Sequence, residues 1–353
     1  MRVLMVGVSE ETMGGMWSVA KNYLENEEFC KATALRYIPT STVGTKFRRG
    51  LFSLKALIKV FAALVSGGYD IVHIHASERG SIYRKSIVMM LAHMFGCKTV
   101  LHMHGAEFQK WYEESPQVIK AYTMFFLNRA NKIIILGEYC RSFIETLVSD
   151  SRKVCTVYNA VHIEEHKEYN RKATNLLFLG AVGRRKGIED LLDAMTLIDD
   201  QLEKCVKLTI YGPIADFPIE EAIKQKGLQK RVSYLGWLGA EQRGQVFAHT
   251  AVNVLPSYYE GLPMTILETM AYGIPNITTA IAGIPEAVDC RNGVLVEPGD
   301  VSGLAKSISS LMNQEELRLN MSDQAYQKIK ECFGLELHFQ SVLSIYEKVC
   351  SEK

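Results

Sequence analysis

Two glutamates separated by seven residues, Glu260 and Glu268, are the side chains best spaced to do chemistry in this chain. They lie in LPSYYEGLPMTILE, where an apolar run ends at Leu255 and Pro263 suits the first turn of a helix, since its missing N–H is not needed there. Glu260 is then expected in the loop and Glu268 about a turn and a half inside the helix. The first-turn N–H groups form an anion site, and two flanking carboxylates suit sugar hydroxyls on each side of a diphosphate. The alternative is an ordinary helix N-terminus stabilised by a nearby acid.

A glycine-rich basic loop follows another apolar run, in FLGAVGRRKGI at 178–188. The three adjacent cations Arg184, Arg185 and Lys186, beside exposed backbone N–H groups, suit a diphosphate. The loop is not a P-loop, because Lys186 is followed by Gly187 rather than Ser or Thr, and its glycine spacing does not match the dinucleotide fingerprint. The alternative is a solvated turn.

Paired glycines, Gly14 and Gly15, follow the first apolar run, at 3–8. Without side chains they let the backbone approach a ligand closely. Taken alone, this pattern is equally typical of a plain turn.

Two His-x-His tripeptides, His73/His75 and His102/His104, stand at the ends of apolar runs. Alternation along a strand puts the two histidines of each pair on the same side. Four imidazoles could chelate a metal, which raises a metal-dependent hydrolase as an alternative function. Because no H-E-x-x-H motif or aspartate cluster accompanies them, we predict no metal site. His104 is expected in a ligand-facing loop, and the other three are expected to be structural.

The segment 45–65 (TKFRRGLFSLKALIKVFAALV) reads as a basic amphipathic helix. Its apolar stripe is Leu51, Leu54, Leu57, Ile58, Phe61 and Leu64/Val65. Lys55 and Lys59 lie on another face. Such a helix can lie on an anionic membrane surface. The alternative is a helix packed on its own sheet.

Short apolar runs alternate with helical patterns along the whole chain, which predicts parallel sheets of an α/β fold. The pattern restarts after a polar stretch at 164–174, so we expect two doubly wound, Rossmann-like domains facing a cleft. We place the first at 1–165, joined by a C-terminal helix at 334–353, and the second at 166–333. The predicted strands are 3–8, 71–75, 99–104, 132–136, 154–157, 176–179, 206–211, 232–235, 252–255 and 276–278. Ligands of such sheets bind beyond the carboxyl ends of the strands.

Composition excludes several classes of protein. The 353 residues are 48% hydrophobic and 22% charged, which argues against disorder, and the net charge of +1 argues against a nucleic-acid binder. Residues 1–170 hold 21 basic and 16 acidic residues, and the remainder hold 19 and 23, so the basic half suits an anionic neighbour. The eight cysteines form no C-x-x-C pair, which indicates reduced thiols in the cytoplasm. The first apolar run is too short for a signal peptide, and no run is long enough to span a membrane.

Over nearly its whole length, and most strongly at 176–300, the chain resembles the retaining GT-B glycosyltransferases of family 4 (glycosyl transferases group 1). The most specific element is the E-x7-E motif, Glu260 and Glu268. The supporting segments are Gly14-Gly15, DIVHIH at 70–75, HGAEF at 104–108, NAV at 159–161, RKG at 185–187, GIPE at 283–286 and GVLV at 293–296.

The resemblance implies a nucleotide-sugar donor, usually a UDP-sugar, held mainly by the C-terminal domain. Glu268 would bind the ribose hydroxyls, Glu260 the donor sugar and Lys186 the diphosphate. Further contacts are implied from the backbone at Gly14, Gly15, Gly261, Leu262, Pro263, Met264 and Thr265, from His104 toward the reacting sugar, and from Gly236-Trp237 toward the base. The family commonly has an arginine directly after the glycine that ends the strand at 176–180. This chain has Ala181 there, and Arg184 or Arg185 would have to reach the same space.

The implied reaction is transfer of a sugar, with retention, to a hydroxyl of a saccharide or lipid-linked saccharide, as in bacterial surface polysaccharide or glycolipid synthesis. No cofactor or essential metal is expected. The location would be cytoplasmic, with peripheral contact to the inner face of the cell membrane through 45–65. A nucleotide-sugar-binding protein with weakened catalysis is the second alternative, beside the hydrolase.

Overall fold

The chain forms two compact units in the computed structural model, which describes residues 1–12, 14–163 and 169–352. The first unit comprises Met1–Ala160 and Leu335–Lys353, and the second comprises Val161–Gly334. The predicted boundary at residue 165 and the first half of the predicted linker fall on 164–168, outside the described residues. The second half of that stretch is no linker, because Tyr169 is buried and its hydroxyl donates to the carbonyl of Ala251 at 2.7 Å, inside the second unit.

The first unit is built on a six-stranded parallel sheet. Its strands are β1 (Val3–Val8), β2 (Arg36–Ser41), β3 (Ile71–Ala76), β4 (Lys98–Met103), β5 (Lys132–Ile135) and β6 (Val154–Thr156), in the order β2-β1-β3-β4-β5-β6. The helices between them are α1 (Gly15–Glu25), α2 (Glu27–Thr33), α3 (Lys46–Val65), α4 (Gly80–Met94), α5 (Phe108–Glu114), α6 (Gln117–Arg129) and α7 (Arg141–Leu147). Each residue of β1 and β3 is buried, as expected for central strands covered on both faces.

The second unit repeats this plan. Its strands are β7 (Asn175–Leu179), β8 (Lys207–Tyr211), β9 (Val232–Tyr234), β10 (Thr250–Leu255), β11 (Asn276–Thr279) and β12 (Gly293–Val296), in the order β12-β11-β10-β7-β8-β9. Its helices are α8 (Ile188–Ile198), α9 (Ile219–Gln225), α10 (Ala240–Ala248), α11 (Met264–Ala271), α12 (Ile284–Ala287), α13 (Val301–Asn313) and α14 (Glu315–Cys332).

Two strands, β2 and β12, are absent from the strands predicted by sequence. Both lie at an edge of their sheet. β2 carries Pro39 and alternates between buried and partly buried positions, so it lacks the continuous apolar run of a central strand. β12 (GVLV) is a short apolar run in which only the two end residues are buried.

The last helix, α15 (Leu335–Ser351), packs on the sheet of the first unit. Its buried residues recur at helical spacing, at His338, Phe339, Val342, Ile345, Tyr346 and Val349. Within the part of the chain that the structure describes, none of the helices combines the length and apolar character needed to cross a bilayer.

Each sheet has one point where the chain reverses its direction of strand addition. In the first sheet β1 lies between β2 and β3, and in the second sheet β7 lies between β8 and β10. Loops that leave the two strands flanking such a switch point diverge to opposite faces and open a crevice for ligands. The fold therefore brings the loop after β7, at 180–187, next to the loop after β10, at 256–263.

Candidate functional site

The two loops at the switch point of the second unit touch through a glycine. Gly187 has φ +68°, and a Cβ there would lie 1.9 Å from the carbonyl oxygen of Pro256, so a larger residue would push the loops apart. The N–H of Tyr258 donates to the carbonyl of Arg185 at 2.9 Å, which ties the loops a second time. The basic loop and the loop of the first glutamate are thus fixed against each other.

Glu260 and Lys186 form an ion pair at this junction. Only 8% of the Glu260 side chain and 14% of the Lys186 side chain is exposed. Ser257, which is fully buried, donates its hydroxyl to the same Glu260 oxygen at 3.0 Å. The carboxylate is therefore held in one orientation, and the ammonium group lies at the end of β7, where a ligand phosphate would compete for it.

Glu268 lies in α11, about one turn from its start. The helix begins at Met264 and Pro263 is its N-cap rather than its first helical residue, so the prediction for Pro263 is wrong by one position. Arg243 in α10 donates to Glu268 Oε1 at 3.0 Å. Burial raises the pKa of Glu268, and the Arg243 guanidinium opposes that rise.

The start of α11 offers backbone donors to an anion. Pro263 contributes no side-chain cap, and the N–H groups of Met264 and Thr265 precede the first intrahelical bond, which Leu267 donates to the Pro263 carbonyl. Gly261 fixes the preceding loop, because its carbonyl accepts from the N–H of Gly283 at 3.1 Å. This helix start lies between Glu260 and Glu268 along the chain.

The two arginines of the basic loop take different directions. The Arg184 guanidinium donates from Nε to Glu189 at 3.4 Å and lies over the ring of Phe217. The backbone N–H of Arg184 donates to Asp216 Oδ1 at 2.9 Å. Arg185 donates from its guanidinium to the carbonyl of Tyr259 at 3.2 Å, one residue before Glu260. Of the two, Arg185 is the one placed beside the carboxylate loop.

Gly236 and Trp237 follow β9. Gly236 has φ +72°, and its carbonyl accepts from the N–H of Gly212 at 2.7 Å, which connects this turn to the end of β8. The indole of Trp237 is about half exposed, at 51%. An accessible aromatic ring at the carboxyl edge of the sheet can stack on a planar base.

In the first unit, the paired glycines form the start of α1. Gly14 is the N-cap in extended backbone, and Gly15 is the first helical residue, without a side-chain cap. The N–H groups of Trp17 and Ser18 already donate to the Gly14 carbonyl. Met13, part of the same motif, lies outside the described residues.

A cluster of histidines occupies the adjoining end of the same sheet. His73, His75 and His102 are fully buried, and His104 is partly exposed at the end of β4. His75 Nδ1 lies 2.8 Å from His104 Nε2, and His73 Nε2 lies 3.3 Å from His102 Nδ1. Helix α15 adds His338, whose Nε2 lies 2.6 Å from the hydroxyl of Tyr23.

Burial lowers the pKa of every histidine in this cluster. The pKa falls to about 3 for His73 and His104 and to about 4 for His338, and it lies well below its usual value for His75 and His102. One nitrogen from each of His73, His75 and His102 falls within 4.8 Å of the others, a spacing that could serve one metal ion. The lowered pKa values favour the neutral imidazoles, which hydrogen-bond to one another and to Tyr23 and Tyr346. His75 Nε2 and His102 Nε2 are buried without a partner among the described residues.

Two side chains at the switch point of the second unit have contacts that the sequence does not predict. Ser257 stands within the motif, but only the structure shows that its hydroxyl holds Glu260. Arg243 lies 25 residues from Glu268, and no sequence pattern links them. Only the strand order, which brings α10 beside α11, indicates that these two residues lie close together.

Family models divide the chain between them. The model described as Glycosyltransferase Family 4 matches residues 21–165, and the model described as Glycosyl transferases group 1 matches residues 162–328. The chain belongs to the family 4 glycosyltransferases.

Curated relatives agree with this membership. The chain is 25% identical, over 79% of its length and 74% of the relative's, to N-acetyl-alpha-D-glucosaminyl L-malate synthase of Bacillus anthracis. It is 24% identical, over 83% of its length and 79% of the relative's, to UDP-Gal:alpha-D-GlcNAc-diphosphoundecaprenol alpha-1,3-galactosyltransferase of Escherichia coli.

Solved structures identify the fold as GT-B. Sucrose-phosphate synthase from Thermosynechococcus elongatus superposes with a TM-score of 0.82 at 15% identity, covering 100% of both chains. HepE from Anabaena, solved in complex with UDP, superposes with a TM-score of 0.76 at 16% identity, covering 99% of this chain and 100% of its own.

Proposed function

We propose that this glycosyltransferase uses a nucleoside diphosphate sugar, a UDP-sugar by preference, as its donor and that the switch point of the second unit binds it. The observation that carries the proposal is the junction of Lys186, Glu260 and the start of α11, with Glu268 one turn further on. Lys186 and the N–H groups at the start of α11 are then suited to the diphosphate, Glu260 to the donor sugar and Glu268 to the ribose. HepE, solved in complexes with UDP and with UDP-glucose, supports this donor class.

Lys186 has the central electrostatic role in this proposal. As the sugar leaves, negative charge develops on the diphosphate, and a positioned ammonium group stabilises it most where water is scarce. The Lys186–Glu260 pair is then the donor-free arrangement. On binding, Lys186 turns to the phosphate and Glu260 is released to accept hydroxyls of the donor sugar.

Arg185 is proposed to supply the cation that Ala181 does not. Its guanidinium reaches the loop of Glu260, whereas that of Arg184 is engaged by Glu189 and Phe217. Trp237 is proposed to stack on the base, and Gly261, Leu262, Met264 and Thr265 to contact phosphate or sugar through their backbone.

Retention at the anomeric carbon is part of the proposal. The bond from the anomeric carbon to the phosphate oxygen breaks, and the acceptor oxygen bonds to the same face of the sugar. The acceptor proton passes to an oxygen of the leaving phosphate, so no protein base and no metal are required. In the first unit, we assign Gly14 and Gly15 to the donor and His104 to the reacting sugar on family membership and on their position at strand ends.

The acceptor is proposed to be a saccharide or a lipid-linked saccharide, as in surface polysaccharide or glycolipid synthesis. Support comes from the galactosyltransferase relative, whose name specifies a diphosphoundecaprenol-linked acceptor. We also propose peripheral contact with the inner face of the cell membrane through 45–65. Helix α3 packs on its unit through Ala56, Val60, Ala63 and Leu64, which leaves most of the predicted apolar stripe exposed.

A donor screen tests the enzymatic part. Nucleotide sugars are compared by thermal shift, and the best donor is then followed by release of UDP and by NMR of the anomeric centre of the product. We expect one UDP-sugar to stabilise the protein and the product to keep the donor's anomeric configuration. An inverted product would contradict retention, and stabilisation by no nucleotide sugar would contradict the donor site.

Liposome flotation tests the membrane part. Phosphatidylcholine vesicles with phosphatidylglycerol should bind the protein, and Lys55→Glu with Lys59→Glu should weaken that binding strongly. Lys204→Glu with Lys230→Glu, exposed cations of the second unit, makes the same charge change and should leave binding unaltered. Equal loss in both double variants would contradict a role for α3.

A further inference from the structure

An open apolar groove of about 340 Å³ runs between α4 and α6 of the first unit. Helix α4 lines it with Met89, Met90 and Met94, and α6 lines it with Tyr122, Phe125 and Phe126. Met90 and Met94 are 58% and 75% exposed and Phe125 is 51% exposed, although all three are large and apolar. Methionine side chains are flexible and polarisable, so this lining can adapt to a chain of variable shape.

The exposed apolar surface continues onto α3. Its exposed members recur every three or four residues, at Phe47, Leu51, Leu54, Ile58, Phe61 and Val65. Phe61 contacts Phe95 at the end of α4, with ring centroids 5.8 Å apart, so the stripe of α3 meets the helix that lines the groove. More than half of the large apolar side chains exposed in the described residues lie on α3, α4 and α6. A surface of this kind marks an interaction site.

The charge of the same three helices is entirely of one sign. Together α3, α4 and α6 carry nine lysines and arginines and not one aspartate or glutamate. Only Lys85 among the nine is buried. A second copy of this chain placed on the face would bring like charges together. An anionic, apolar partner satisfies both properties of the surface.

Polar groups define the two ends of the groove. Arg129 lies at the end near His93, with its guanidinium 5.0 Å above the ring of Phe125. At the other end, the hydroxyls of Ser86 and Tyr122 hydrogen-bond across the groove. The groove therefore carries a positive charge at one end and is crossed by a hydrogen bond at the other.

We propose that this groove binds one hydrocarbon chain of an anionic lipid, with the phosphate of the headgroup near Arg129. The inference deepens the proposed function, on whose membrane contact it rests: α3 gives a general attraction to an anionic surface, and the groove selects a lipid by its chain. The hydrocarbon chain lies along Met90 and Met94, and the hydrogen bond between Ser86 and Tyr122 limits how far it enters the groove.

Vesicle binding separates the groove from the α3 contact. Met90→Gln with Phe125→Gln changes two exposed side chains of the groove, and Leu197→Gln with Ile214→Gln changes two equally exposed ones in the second unit. On phosphatidylcholine vesicles with phosphatidylglycerol, we expect the groove variant to bind at least about tenfold more weakly than wild type, and the control to bind as wild type does. Equal affinity of the groove variant, with loss in the Lys55/Lys59 variant, would overturn the groove and leave the membrane contact standing. Absence of wild-type binding would overturn both and leave the donor site untouched.

A second measurement detects the hydrocarbon chain of the lipid in the groove. Phe125→Trp places an indole in the groove, and lipids brominated along the acyl chain quench indoles that they touch. We expect this tryptophan to be quenched beyond Trp17, Trp111 and Trp237 of the wild type. No added quenching would overturn chain insertion. Lipid-free dimerisation that Met90→Gln with Phe125→Gln abolishes would instead assign the face to a second copy and overturn the proposal.

Discussion

The two switch points of this molecule share a topology and differ in chemistry. Beside the β1/β3 switch point, the ends of β3 and β4 hold imidazoles that are almost all buried, and each has a lowered pKa. At the β7/β10 switch point, the loops hold Lys186 and Glu260 as an ion pair that is also largely buried. The same arrangement of parallel strands thus supports a cluster of imidazoles with lowered pKa values in one unit and an ion pair in the other.

The difference lies in what each network can release. The histidine cluster is covered by α1 and α15, whose Tyr23 and Tyr346 hydrogen-bond to His338 and His73. His75 Nε2 and His102 Nε2 are buried without a hydrogen-bond partner in the residues that the structure describes. We propose that the Lys186–Glu260 pair opens on donor binding, when Lys186 turns to a phosphate and Glu260 to a sugar hydroxyl. In our proposal the diphosphate binds at the second switch point, and the fully buried histidines, as distinct from His104, mainly stabilise the first unit.

Removing the exchangeable cation should have the largest effect. Lys186→Ala is expected to lower kcat/KM about 10²–10³-fold, because the leaving diphosphate loses its positioned charge. Steady-state release of UDP measures this. Lys224→Ala, an exposed lysine of α9, serves as the matched control and should keep full activity. Wild-type turnover in Lys186→Ala would break the comparison.

Neutralising the second glutamate should act on donor binding. Glu268→Gln is expected to raise the KM for the donor about 10-fold or more, since a charged acceptor of hydrogen bonds is worth roughly 1.5–3 kcal/mol. Arg243→Gln removes the partner of the carboxylate and should raise KM less. Initial rates over a range of donor concentrations separate the two parameters. A fall in kcat with unchanged KM would argue against ribose recognition.

Acid should destabilise the protein through the histidine cluster. The folded pKa values of His73, His104 and His338, at about 3 to 4, lie below the 6.5 of an unfolded histidine, so the unfolded state binds more protons below pH 6.5. The free energy of unfolding should therefore be fully present above pH 6.5 and fall as the pH drops toward 4, by about 1.4 kcal/mol per pH unit for each proton.

Urea titrations between pH 7.5 and 4.5 measure this dependence. His338→Gln should reduce the slope, and His162→Gln, at an exposed site, should leave it unchanged. A flat profile from pH 6.5 to 4.5 would show that the cluster is not neutral and buried.

Deleting one hydroxyl of the neutral network should have a smaller effect. Tyr346 and His73 are fully buried, and their hydrogen bond measures 2.6 Å. Tyr346→Phe leaves His73 Nδ1 unsatisfied and should lower the free energy of unfolding by about 1–3 kcal/mol without changing the KM for the donor. Tyr83→Phe, at a half-exposed site, should change neither. A raised KM in Tyr346→Phe would assign ligand chemistry to the first switch point.

Chelation should have the smallest effect of all. The proposed reaction uses no metal, so extensive dialysis against EDTA should leave the rate of UDP release and the melting temperature unchanged. Stoichiometric zinc or manganese in the purified protein, with loss of activity on its removal, would contradict this. Stabilisation of the leaving diphosphate would then be assigned to a metal ion at His73, His75 and His102 instead of to Lys186.

The sequence was sufficient for the two-sheet α/β plan and for the segments that meet at the second switch point. Central strands such as β1 and β10 are continuous apolar runs, and they were found because burial on both faces dictates that pattern. The edge strand β2 was missed because its residues are only alternately buried, which hides the apolar run that reveals a central strand. Loop positions of Lys186 and Glu260 followed from the strand ends.

Pairwise contacts were beyond the sequence. The Arg243–Glu268 pair depends on the neighbouring packing of two helices, and the two directions of Arg184 and Arg185 depend on a single turn of 3-10 helix. For the segment 45–65, periodicity predicted the apolar stripe but not its exposure. The stripe is exposed because α3 packs against its unit through another face, which includes the small residues Ala56 and Ala63.

Calorimetric titration with UDP tests the central claim most directly. The switch point of the second unit is expected to bind UDP through Lys186, so wild type should bind UDP with an affinity at least about tenfold higher than Lys186→Ala does. Uridine, which has no phosphate, should bind both proteins equally weakly. Equal affinity of wild type and Lys186→Ala for UDP would contradict the account.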